Sequence, residues 1–288
     1  MAIFSFVLSL FGLGFDEKEK CYVYKDLAYG TGENRTLDLY VPKKANEKCG
    51  LVLFLHGGAW VSGDKSEVND ETLKYICEDL GFAAATMNYR FISKTVKTLD
   101  ILDDIEAALS KIKAKGKETG ATIDRVMLNG VSAGAHLALL YGYTKTNSSP
   151  IKVACVASFS GPTDIADAKF YSETSTLGSK DYIYDLMSKA CGRKFNEKTF
   201  NFAVPALKKA SPLTYVTSSC PPTIIAHGKN DTVVPYSNAM ALNSALGAVG
   251  VEHEFIIFKN SGHNLENDPD CEKAANDALV KYANKYLK

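Results

Sequence analysis

Val126-Met127-Leu128-Asn129-Gly130-Val131-Ser132-Ala133-Gly134-Ala135-His136-Leu137-Ala138-Leu139-Leu140 carries three local instructions in one stretch. An apolar run of strand length comes first, a Gly-x-Ser-x-Gly pentapeptide follows, and a helix-forming run rich in Ala and Leu completes it. Glycines on either side of a central serine suit a chain reversal so sharp that bulky neighbours would collide, leaving the serine strained and exposed. Small residues cluster in many turns, so the pentapeptide alone is weak. With a strand before it and a helix after it, Ser132 becomes the candidate nucleophile.

Working outward, the same strand-then-helix order recurs. Strands are expected at Tyr22 to Tyr29, Thr36 to Val41, Leu51 to Leu55, Phe82 to Met87, Val126 to Asn129, Val153 to Phe159, Thr223 to His227 and Phe255 to Phe258. Several are short continuous apolar runs, as in strands covered on both faces. Leu73, Ile76, Cys77 and Leu80 share one helical face, and Leu102, Ile105, Leu109 and Ile112 share another. Further helices are expected after Ser132, after Asp231 and from Cys271 to Leu287. The order predicts an α/β fold, a mainly parallel eight-stranded sheet with helices on both faces, whose reactive groups belong at the carboxyl ends of the strands. The alternation breaks once, between Ser160 and Pro222, so the organisation reads as one domain over residues 21–288 with a cap inserted at about 162–215.

Composition narrows the function classes. The 288 residues are 46% hydrophobic and 23% charged, with 33 Lys plus Arg against 33 Asp plus Glu, which leaves no footprint for a polyanion. Nucleic acid is not an expected partner. The seven cysteines show no CxxC pairing, and an odd count cannot be fully paired within one chain, so neither zinc nor a disulfide framework is expected. Cys77 and Cys155 lie in apolar stretches and read as small core residues, which suits a reducing, cytoplasmic setting. The apolar run Met1 to Phe15, ahead of Asp16-Glu17-Lys18-Glu19-Lys20, is too short to span a bilayer and has no preceding Lys or Arg, which disfavours a cleaved signal. As a helix it would gather Phe4, Leu8, Phe11 and Phe15 on one stripe. Packing on its own domain or on a second subunit of a homo-oligomer is favoured over membrane-surface contact.

A nucleophilic serine needs a base, an orienting carboxylate and donors for the developing oxyanion. His263, in the turn Asn260-Ser261-Gly262-His263-Asn264 after the last strand, is the first choice among five histidines, and His227 is the runner-up. His56 reads as a brace for its loop, His136 as a helix residue and His253 as the approach to the last strand. Asp231 follows the strand ending at His227 and gives the chain order Ser, Asp, His. Asp164 is its rival, while Asp103 and Asp104 fall within a helix and are expected to face solvent. His56-Gly57-Gly58-Ala59-Trp60 follows Leu51 to Leu55, and its two glycines let backbone N–H groups turn, with that of Ala133, toward a ligand.

Taken together, the chain resembles the α/β-hydrolase esterase/lipase superfamily, closest to carboxylesterases near the hormone-sensitive-lipase-like, kynurenine formamidase-like and acyl-carbohydrate esterase groups. The resemblance rests on His56 to Trp60 with Gly63-Asp64-Lys65, Asn88-Tyr89-Arg90, the turn around Ser132, His227-Gly228 to Asp231 with Val234-Pro235, and Gly262-His263. It implies a triad of Ser132, Asp231 and His263, an oxyanion hole of the Gly57, Gly58 and Ala133 N–H groups, and no metal or organic cofactor. Ala59 departs from the pattern, since lipase-like members often carry a third glycine there. The expected substrate is a small carboxylic ester, with a short-chain acyl or aryl-acyl group and a carbohydrate as one candidate alcohol. An aryl-formamide is the alternative. A non-catalytic binding module on the same fold is a further alternative, against which all three triad positions are filled. Trp60 is a candidate substrate contact, with buried packing as the competing reading.

Overall fold

The computed structural model describes residues 20–43 and 48–288, so the expectations for Met1 to Phe15 lie outside the described residues. Eight strands form one sheet: β1 (Cys21–Ala28), β2 (Thr36–Pro42), β3 (Lys48–Leu55), β4 (Ala83–Met87), β5 (Thr122–Val131), β6 (Lys152–Phe159), β7 (Thr223–Gly228) and β8 (His253–Phe258). All eight expected strands are present, with β5 starting four residues earlier than the apolar run suggests. The order across the sheet is β1-β2-β4-β3-β5-β6-β7-β8. β2 is antiparallel to both β1 and β4, and every pair from β4 to β8 is parallel. Leu55 pairs with Gly130, Val131 with Phe159 and Gly228 with Phe258, so the carboxyl ends of five strands come out along one edge.

Strand alternation divides the core in two. Leu51, Leu53 and Leu55 of β3 point into one cluster with Ile101, Ile105, Leu109 and Ile112 of α2 (Thr98–Glu118) and the apolar residues of α3 (Ala133–Thr144), after α1 (Asp70–Glu78). Val52 and Phe54 point to the other face, where Leu73, Ile76 and Cys77 of α1 cover them. Between β6 and β7 the chain forms α4 (Ala168–Glu173), α5 (Lys180–Cys191) and α6 (Phe200–Lys209). α7 (Tyr236–Ala248) and α8 (Pro269–Tyr286) complete the set, and α8 lays Ala275, Ala278, Tyr282 and Ala283 on the same face as α1. No helix of the described residues is long and apolar enough to cross a membrane.

Two sequence expectations are corrected here. Asp104 does not face solvent: it is 1% exposed, with Arg35 Nη2 at 2.9 Å, Arg90 Nε at 2.9 Å and the Arg90 N–H at 3.0 Å. Two guanidinium groups and a backbone donor satisfy a carboxylate that would otherwise be costly to bury. Asp103, one residue earlier on α2, is exposed as expected. Cys77 is a core residue but not a free thiol, because it forms a disulfide with Cys21 across 56 residues of sequence, with Cα atoms 6.5 Å apart. The odd cysteine count excluded complete pairing, not a single bridge. Cys49, Cys155, Cys191, Cys220 and Cys271 are free.

A bridge closing a 56-residue loop restricts the unfolded chain enough to stabilise the fold by about 4 kcal/mol in the chain-entropy treatment. Cys77→Ser should lower the urea midpoint accordingly and leave six alkylatable thiols in the denatured, non-reduced protein instead of five. A midpoint equal to that of the parent would show that the bridge contributes nothing.

Candidate active site

Ser132 stands between β5 and α3 with φ 52° and ψ −118°, a conformation that L-residues adopt only under constraint. The glycines explain how the turn fits. A Cβ at Gly130 would run into the backbone of Gly134, and one at Gly134 into the carbonyls of Leu55 and His56. The Ser132 N–H donates to the carbonyl of Phe159 at 2.8 Å, tying the turn to the end of β6. The hydroxyl is thereby held up at the sheet edge rather than folded into the helix.

His263 lies in the loop after β8 and meets Ser132 there, with its Nε2 3.0 Å from Ser132 Oγ. Its Nδ1 is 2.8 Å from Asp231 Oδ2. A carboxylate only accepts, so Nδ1 carries the hydrogen and Nε2 is left with its lone pair toward the serine. The loop is pinned on both sides. Ser160 Oγ donates to the His263 carbonyl at 2.9 Å, and Asp268 accepts from Ser261 Oγ at 2.6 Å and from the Asn260 N–H at 2.9 Å.

The Asp231 side chain is fully buried in the turn after β7. Its Oδ1 accepts the N–H groups of Val233 at 2.8 Å and Val234 at 2.9 Å. Burial pushes this carboxyl up, but the hydrogen bonds from His227 and His263 outweigh it and hold the group well below the usual carboxylate range. Asp164, the rival, turns its carboxylate onto the Ala166 N–H at 2.9 Å, an acceptor role local to its own loop. His227 is placed beside Asp231 rather than beside Ser132, with its Nε2 3.1 Å from Asp231 Oδ2.

The glycine loop after β3 completes the arrangement. Gly58, Ala59 and Trp60 have φ of 97°, 51° and 60°, three consecutive left-handed residues, and the N–H groups of Val61 and Ser62 close back on the Gly58 carbonyl at 3.0 Å. The position of Ala59 is one that glycine would adopt without strain, which accounts for the residue type expected there. His56 braces the loop as anticipated: its Nδ1 is 2.8 Å from the Gly57 carbonyl, and its ring stacks on Tyr89 at 4.2 Å. A Cβ on Gly57 would sit 3.5 Å from Ser132 Cβ, so this backbone passes in contact with the serine. Ala133 opens α3, where first-turn N–H groups have no intrahelical acceptor. Chemically, the set can deprotonate a serine hydroxyl, stabilise the resulting imidazolium and hold an oxyanion.

The remaining residues singled out in the sequence are packed away from Ser132. Trp60 is 2% exposed and its ring meets His136 edge-on at 4.9 Å, so it is packing beneath the loop. His136 is fully buried and its Nε2 donates to the carbonyl of Ala210 at 2.7 Å, fastening α3 to the end of the insertion. His253 opens β8, at the opposite edge from Ser132. A cavity of about 620 Å³ between α1 and α8, floored by Val52, Phe54, Met127 and Asn129, is lined by none of the candidate residues. Sequence reasoning missed the pins on the His263 loop, Ser160, Ser261 and Asp268, whose partners lie in other turns and leave no local pattern.

The BD-FAE family model matches residues 37–246. The chain is 27% identical over 223 residues to a probable carboxylic ester hydrolase, LipM, of Mycobacterium tuberculosis, covering 74% of this chain and 49% of that one. It is 25% identical over 251 residues to the isoprenylcysteine alpha-carbonyl methylesterase ICME of Arabidopsis thaliana, covering 84% and 56% respectively. The chain thus spans about half the length of the curated relatives it matches. Among solved structures, a truncated carbohydrate esterase from gut microbiota superposes with a TM-score of 0.71 at 19% identity, over 94% of this chain and 100% of that one. Esterase B from Lactobacillus rhamnosis superposes with a TM-score of 0.69 at 22% identity, over 94% and 90%. At such identities the superpositions establish the α/β-hydrolase fold.

Burial pushes the His136 imidazole down from 6.5 to about 4. Below pH 6.5 the unfolded chain takes up a proton that the folded chain refuses until about pH 4, so stability is lost as pH falls through that window. The loss amounts to about 3 kcal/mol. Asp231 contributes in a lower window, because a depressed carboxyl loses its stabilisation only as pH falls below the ordinary carboxylate value. Urea midpoints at pH 7 and pH 4.5 should therefore diverge strongly in the parent and much less in His136→Gln. An equal divergence in both proteins would refute the assignment.

Proposed function

We propose that this chain, which belongs to the BD-FAE family within the α/β-hydrolase esterase superfamily, is a carboxylesterase-type serine hydrolase acting through an acyl-enzyme on Ser132. The observation that carries the proposal is the continuous hydrogen-bonded line from Ser132 Oγ through His263 to Asp231, at 3.0 and 2.8 Å.

In the proposed reaction, His263 Nε2 takes the hydroxyl proton as Ser132 Oγ attacks the substrate carbonyl. The negative oxygen that forms is held by the N–H groups of Gly57, Gly58 and Ala133, and Asp231 stabilises the imidazolium without being protonated itself. His263 then delivers the proton to the departing alcohol. A water, deprotonated by the same nitrogen, releases the acid and restores the hydroxyl. Each protein group acts from a turn or loop directly after a strand, held by hydrogen bonds already made, so little reorganisation is required.

The substrate class we assign is a small ester with a short acyl or an aryl-acyl group, carbohydrate esters foremost. The helices α4, α5 and α6 serve in this reading as a cap over the site, and the His136 to Ala210 hydrogen bond supports the role by anchoring their end to the helix that follows the nucleophile. The Cys21–Cys77 bridge supports a setting in which thiols oxidise.

Ser132→Ala should lower kcat/KM on p-nitrophenyl acetate and butyrate by at least about 10⁴-fold while leaving the thermal midpoint within a few degrees. Wild-type turnover in that variant would sink the assignment. Across p-nitrophenyl esters, acetylated xylo-oligosaccharide and N-formylkynurenine, the short esters and the acetylated sugar should lead. A preference for N-formylkynurenine would instead identify an aryl-formamidase.

A further inference from the structure

His227 is a buried, titratable residue that the triad as described leaves unused. It is the penultimate residue of β7 and is 1% exposed, and its ring lies across from Tyr236 with centroids 6.2 Å apart. Its Nε2 has two neighbours, the Val234 carbonyl at 2.9 Å and Asp231 Oδ2 at 3.1 Å. Both are acceptors, so this nitrogen carries a hydrogen shared between them. Asp231 Oδ2 is therefore approached by two imidazole N–H groups, His263 Nδ1 at 2.8 Å and His227 Nε2 at 3.1 Å. The other carboxylate oxygen is occupied by Val233 and Val234.

We propose that His227 is a positioning residue for the hydrolysis assigned above, on which this inference rests: its N–H clamps the 231–234 turn and competes with His263 for Asp231 Oδ2. The clamp works on two levels. Bonding the Val234 carbonyl closes the turn that aims both Val233 and Val234 N–H groups at Oδ1, fixing the plane of the carboxylate. Sharing Oδ2 draws part of the negative charge away from His263, which tempers the stabilisation of the imidazolium. Among the described residues, the titratable groups facing Asp231 are His227 and His263, with the Tyr236 ring on the edge of His227.

Removing the N–H should therefore have two separable effects. In His227→Phe an aromatic ring still fills the position but the donor is lost, so kcat should fall roughly 10- to 100-fold with KM changed less than about twofold. Asp231 then acts on His263 alone, and the acid limb of kcat/KM should move upward by roughly half a pH unit or more. His227→Gln, which offers an amide N–H at the corresponding position, should restore most of both. An unmoved acid limb in His227→Phe, or a His227→Gln as impaired as His227→Phe, would overturn the proposal. If His227→Phe does not fold, nitrogen-15 NMR of the unaltered chain decides: the Nε2–H tautomer of His227 is required through the active pH range, and an Nδ1–H tautomer overturns it. Turnover retained by Ser132→Ala would defeat the triad itself, whereas an inactive Ser132→Ala beside an unmoved acid limb defeats only the role of His227.

Discussion

The close approach of Gly134 to the carbonyls of Leu55 and His56 is the contact on which the site depends. It exists because β3 and β5 are neighbours in parallel register, with Leu55 opposite Gly130, so that both chains leave the sheet at the same height. One leaves as a sharp turn with a strained serine, and the other as a left-handed loop. No side chain separates them. Any residue larger than glycine at 134 would force the strand ends apart and carry the loop N–H groups away from Ser132, which is why a conformational cost at the turn is tolerated.

Around that contact the protein buries several carboxylates, and each is satisfied differently. Asp104 takes two guanidinium groups, which locks β2's neighbourhood to α2 and serves architecture. Asp38 takes the ammonium groups of Lys25 and Lys65. Among the described residues Asp231 is held by neither Arg nor Lys, but by two backbone N–H groups and two imidazoles. A carboxylate held by neutral donors keeps its negative charge available to a group that becomes positive during a reaction, whereas one neutralised by arginine does not. The difference in partners separates a scaffold carboxylate from one placed to act on a histidine.

The insertion between β6 and β7 is tied to the helices that pack on the sheet. Thr98 Oγ1 donates to the Ala190 carbonyl and His136 Nε2 to the Ala210 carbonyl, while the Ile165 N–H donates to Ser211 Oγ within the insertion itself. Two of these begin on α2 and α3, the helices that flank the Ser132 turn on one face. On the opposite face the Cys21–Cys77 bridge ties the edge strand β1 to α1. The sheet is thus fastened on both sides, and the active edge is left to the loops.

What the sequence determined by itself was everything governed by local periodicity and local sterics. The eight strands, the helical faces of Leu73 and Ile105, and the identity of Ser132 were legible because apolar period and glycine spacing act within a few residues. His263 and Asp231 were legible as well, through their position after strands in an alternating order. The tertiary structure alone decided what depends on residues far apart in the chain. It took Asp104 from solvent to a pair of arginines, joined Cys21 to Cys77, buried Trp60 against His136, and set His227 on the carboxylate instead of the serine. Each of these outcomes turns on a partner supplied by another element, and a hydrogen bond, ion pair or disulfide leaves no period in the sequence from which it could be read.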